Sequence, residues 1–82
     1  MKVKVKKISA SVRAFKYQPS DFYFHDPEAG DLCHNTDAIS DALGLAKYLV
    51  DNGPVQCGLL LIRTINLGLK QYDSLVAQYR VV

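Results

Sequence analysis

Cysteine is scarce in this chain, with only Cys33 and Cys57 among 82 residues. Two are too few for a disulfide scaffold, so reduced thiols in a cytosolic compartment are the plain reading. Long apolar runs are missing as well. The longest, Leu59–Ile62, falls far short of the roughly 20 residues that span a bilayer. The opening MKVKVKK could pass for the charged region of an export signal, but no apolar block follows to complete one. The expectation is a cytoplasmic protein with no membrane partner. Repeats, low-complexity tracts and Gly/Ser/Pro-rich linkers are absent from the sequence, so residues 1–82 are expected to form a single domain. Chemistry is the last absence. No Gly-rich phosphate cradle accompanies the cysteines and histidines, and their spacing fits no zinc or calcium pattern. The reading is therefore no enzyme, no cofactor and no metal.

What the chain does have is charge sorted by position. Residues 1–17 carry six basic groups (Lys2, Lys4, Lys6, Lys7, Arg13, Lys16) and no acid. Residues 18–54 carry seven acids (Asp21, Asp26, Glu28, Asp31, Asp37, Asp41, Asp51) against Lys47 alone. The remainder sets Arg63, Lys70 and Arg80 against Asp73, so a net charge of +2 hides a dipolar surface of the kind that steers partners. An apolar content of 49% is ordinary for a globular protein. A chain of this length buries roughly 60% of its unfolded surface, which leaves little stability to spare.

Periodicity gives a first architecture. Residues 2–17 alternate with period two, changing parity between Lys6 and Ile8, and read as a strand with a bulge. Gln18-Pro19-Ser20-Asp21 suits a tight turn, and Phe22-Tyr23-Phe24 returns as a second strand, making residues 8–25 a hairpin. His25 to Asn35 reads as a polar loop. The spacing of Ile39, Ala42, Leu43, Ala46, Leu49 and Val50 predicts an amphipathic helix over Asp37–Asn52, capped by Asn35 or Thr36 and stopped at Gly53-Pro54. From Val55, the alternation of Cys57, Leu59, Leu61, Ile65, Leu67 and Leu69 favours a third strand, and residues 75–82 favour a fourth. The expected fold is α+β: an antiparallel sheet of about four strands with one helix on one face, ββαββ. The competing reading is ββαβα, with a C-terminal helix over residues 67–80.

Partner-binding candidates follow from that architecture. On a strand, Leu60 and Ile62 face away from Leu59 and Leu61, and one helix cannot cover both sides of a sheet. They are therefore expected to meet a partner, either foreign or a second copy in a homodimer. Tyr23, on the short aromatic strand, is a further contact candidate. Lys2, Lys4 and Lys6 share one strand face, and Asp26, Glu28 and Asp31 crowd the acidic loop; either group suits electrostatic steering. The loop gathers six potential metal ligands between His25 and His34, but it reads as a solvated acidic loop. Arg63 interrupts an apolar face and is expected to extend its head to water.

The functional expectation is a small non-enzymatic binding or regulatory protein that covers part of a protein partner. Small domains of this sort are common among phage and mobile-element inhibitors of nucleic-acid machinery, an association by size alone. The alternative is nucleic-acid binding through the basic first strand, extended by Arg13 and Lys16, with Phe15, Tyr17 and Tyr23 available for stacking. The acidity of residues 18–54 opposes it.

Overall fold

The computed structural model describes residues 9–80. Within them the chain runs as helix α1 (Ala10–Lys16), a 3-10 turn (Pro19–Phe22), strands β1 (Tyr23–Asp26) and β2 (Asp31–His34), and helices α2 (Thr36–Asn52) and α3 (Val55–Arg80). This overturns the expected α+β fold, in both its ββαββ and ββαβα forms. The described residues hold one two-stranded antiparallel sheet and three α-helices.

The first expected strand is helical where it is described. Ala10, Val12 and Ala14 share a parity, but Ala10 and Ala14 are also four apart, as one helical face requires. Ser9 caps the helix by accepting from the Val12 N–H, and alanine favours helix strongly. Ala14 is buried, while Val12 and Phe15 project to solvent. The Gln18–Asp21 segment turns as expected, with the Asp21 carboxylate accepting from the Gln18 N–H at 2.7 Å.

The hairpin forms with a different partner. Tyr23 pairs with His34, and Asp26 with Asp31, so the second strand comes from the segment expected to be a loop. Asp26 builds the connection: its carboxylate accepts from the N–H groups of Glu28 and Ala29, and its carbonyl accepts from Gly30 N–H. An aspartate bonding its own turn in this way is a common loop device.

Helix α2 lies where its apolar spacing predicts. Asn35 caps it by accepting from Ala38 N–H, and the Gly53 N–H closes it on the Leu49 carbonyl. Ala42, Leu45, Ala46 and Leu49 form its buried face.

The two expected C-terminal strands are one 26-residue helix. Leu61, Ile65 and Leu69 share a parity, which suggested a strand; they are also four apart, and leucine is a good helix former. Two glycines let α3 approach its neighbours. A Cβ on Gly58 would lie 2.8 Å from Val50 Cγ2 and 2.9 Å from the Ala46 carbonyl of α2. One on Gly68 would collide with the Pro19 carbonyl and lie 2.8 Å from the Phe22 ring. Phe22 is wholly buried between α2 and α3, joined in the core by Ala14, Leu45, Leu49, Leu61 and Ile65.

Candidate protein-binding face

Two polar clusters fasten the small elements to this helical frame. In the first, Arg13 of α1 reaches Asp41 of α2 with Nη2–Oδ distances of 3.1 and 3.3 Å. Tyr17 donates its phenol proton to the same carboxylate and stacks on Phe22. Burial first, then the bond to Asp41 and its negative charge, push the Tyr17 phenol up to about 12. In the second cluster, Tyr72 of α3 stacks on His34 at 3.7 Å and donates to the Leu32 carbonyl. Beside it, Tyr23 donates to Gln71 at 3.0 Å. The hairpin is therefore pinned to the C-terminal half of α3.

These contacts sort the expected site residues. Tyr23 is half-buried and committed to Gln71 and Tyr72, so it serves the hairpin's attachment; Phe24 is the exposed ring of that aromatic trio. Asp26 is spent on the hairpin turn, with Glu28 in the turn and Asp31 at its exit, both exposed. Lys2, Lys4 and Lys6 lie outside the described residues. His34 is stacked on Tyr72 and Cys33 sits half-buried on β2. Among the described residues no group of three His, Cys, Asp or Glu is placed to hold a metal ion. No described helix is long and apolar enough to cross a membrane.

Leu60 and Ile62 are exposed, at 48% and 37%. They sit on the outer side of α3, not on the back of a sheet. That side also carries Leu59 and Leu67, exposed at 52% and 45%, which the strand reading placed with the buried Leu61. With 3.6 residues per turn, Leu59, Ile62, Arg63, Asn66, Leu67 and Lys70 occupy the half of the helix away from Leu61, Ile65 and Gly68. They line an open depression of about 500 Å³. A second, smaller recess of about 190 Å³ lies where α3 meets α1, lined in part by Phe15, Cys57, Leu60 and Thr64. The Phe15 ring there is 67% exposed. Sequence reasoning missed Leu59, Leu67 and Lys70 as surface residues, for which helical spacing from the buried positions of α3 was the signal; it singles out Phe15 only as a ring available for stacking on nucleic acid.

The outer face of α3 thus mixes exposed apolar side chains with two cations, Arg63 and Lys70, that make no ion pair among the described residues. Neither a family model nor any curated protein or solved structure matches this chain.

Proposed function

We propose that this is a cytoplasmic, non-enzymatic binding protein that regulates or inhibits a protein partner by covering part of it with the outer face of α3. One observation carries the reading: Leu59, Leu60, Ile62 and Leu67 expose between 37% and 52% of their surface along a little over two turns of one helix. Isolated apolar residues on a surface need no explanation, but four large ones gathered on one short stretch of helix suit an interaction site. Leu45, Leu49 and Leu61 are buried in the core, while Leu43 on α2 is exposed to 49%. The nucleic-acid alternative is weaker. Arg13, one of its cations, is engaged by Asp41, and between Leu59 and Leu67 α3 exposes four large apolar side chains that a phosphate backbone would not satisfy.

The test is affinity capture from a source lysate, after nuclease treatment, comparing the native chain with Leu59→Asp and Ile62→Asp. Both variants are expected to lose the captured protein while still unfolding cooperatively within about 10 °C of the native melting temperature, because neither side chain belongs to the core. Capture unaffected by both substitutions removes this face from the function. Loss of capture on nuclease treatment transfers the function to nucleic acid.

A further inference from the structure

Resting on the docking reading above, we infer that the segment seated on α3 is an acidic amphipathic helix of the partner protein. The inference comes from where the cations lie. Leu61, Ile65 and Gly68 define the buried side of α3. At 100° per residue, Arg63 and Lys70 fall roughly opposite that side, on the midline of the outer face. Leu59 and Ile62 flank them on one side and Leu67 on the other. All of these residues line the same open depression.

A partner cannot cover Leu59, Ile62 and Leu67 together without passing over Arg63 and Lys70. Covering a cation without supplying an anion leaves a desolvated charge uncompensated, which opposes binding. The partner must therefore bring carboxylates to two points. Those points are seven residues apart on α3, about 10.5 Å at 1.5 Å per residue. A helix packed along α3 at a shallow crossing angle presents side chains seven apart at the same spacing. Apolar side chains on the adjoining positions of that helix then meet Leu59, Ile62 and Leu67. No acid of α2 or of the hairpin reaches Arg63 or Lys70: the ion pairs among the described residues are Arg13–Asp41 and Lys47–Asp51. The nearest acid on α3 itself, Asp73, is one turn beyond Lys70 and outside the depression.

Two other occupants fit less well. A second copy laying its own α3 across this face would set Arg63 and Lys70 against their own counterparts. Nucleic acid would satisfy the cations but would leave three large apolar side chains against a phosphate backbone.

The probe is a synthetic helical peptide with leucines along one face and two glutamates one heptad apart beside them, compared with a twin bearing lysines in place of the glutamates. Titrated into the full-length isotope-labelled protein, the acidic peptide is expected to shift the amide resonances of residues 59–70. The lysine twin should bind roughly tenfold more weakly. The double variant Arg63→Glu/Lys70→Glu should reverse that preference with an unchanged helical circular dichroism spectrum. Equal binding of the two peptides, failure of both to bind, or shifts centred elsewhere would each overturn the inference. So would tighter binding of duplex DNA to the same residues, or a dimer in sedimentation that Leu59→Asp dissociates. Failure of this inference alone is distinguishable from failure of the docking reading. If Arg63→Glu/Lys70→Glu leaves lysate capture intact while Leu59→Asp abolishes it, the acidic character is wrong and the docking face stands.

Discussion

Replacing Leu59 and Leu61 separately with alanine distinguishes helix from strand in α3 and, with it, the surface from the core. The two side chains are chemically identical and two positions apart. On a strand they would share a face, and their truncation would cost about the same. In the structure Leu61 is 1% exposed inside the core and Leu59 is 52% exposed outside it. Truncating a buried leucine removes transfer free energy and leaves a cavity, for a cost of about 2–5 kcal/mol. Leu59 surrenders only part of the 1.5–3 kcal/mol or so available from burying a whole side chain, and alanine returns a few tenths through helix propensity. Its expected cost is about 0.5 kcal/mol, so the pair should differ by at least about 1.5 kcal/mol. At about 0.05–0.15 kcal/mol per residue the whole fold is stable by only about 4–12 kcal/mol, so the loss at Leu61 is a large fraction of the total. Urea unfolding followed by circular dichroism reads both variants, with Leu60→Ala as a third that should resemble Leu59→Ala. Equal costs at positions 59 and 61 would refute the helical placement, and the docking face with it.

Other perturbations probe the packing and the polar clusters. Gly68→Ala should destabilise by about 1–3 kcal/mol in the same assay despite a helix-propensity gain near 1 kcal/mol, because the new methyl meets backbone at Pro19; stabilisation would mean that α3 does not press on the 3-10 turn. Asn35→Ala should lower the unfolding free energy from urea denaturation by about 1–2 kcal/mol, since Asn35 caps α2 and also donates to the Asp21 carbonyl. Tyr17 has a folded-state value of about 12 against an ordinary 10.0, so its contribution is full below pH 10 and disappears as pH rises through about 12. Ultraviolet titration should accordingly show a late-ionising phenol that Tyr17→Phe removes, and the native chain should lose more stability than the variant across that window. Tyr72→Ala should speed amide exchange in β1 and β2 while leaving α2 protected, because the His34 stack and the bond to the Leu32 carbonyl hold the hairpin down.

The sequence was most legible where one periodicity had no competitor. In α2 the apolar positions fit only a helix, and Asn35 and Gly53 mark its ends. It was misleading where residues four apart also share parity. Ala10 and Ala14, then Leu61, Ile65 and Leu69, satisfy both patterns, and the intervening Val12, Leu59 and Leu67 completed an apparent strand because they are apolar although exposed. Those exposed apolar residues, the ones most relevant to binding, were what disguised the helix. The hairpin was hidden differently: β2, Asp31–His34, is poor in strand formers, and its place is fixed by Tyr72, some 40 residues away. Leu60 and Ile62 were expected at the surface and are there, although the strand argument that singled them out does not hold. Arg63 was expected to extend to water, and its pairing along the outer face with Lys70 becomes visible only once α3 is a helix.

The most direct test of the docking face is site-specific photo-crosslinking in cells that express the chain, with the photoreactive residue placed at Leu59 and, as a control, at Lys47 on the exposed side of α2. The account expects a discrete protein adduct from position 59 and none from position 47. Adducts from 47 but not from 59, or adducts at 59 composed of nucleic acid, would contradict it.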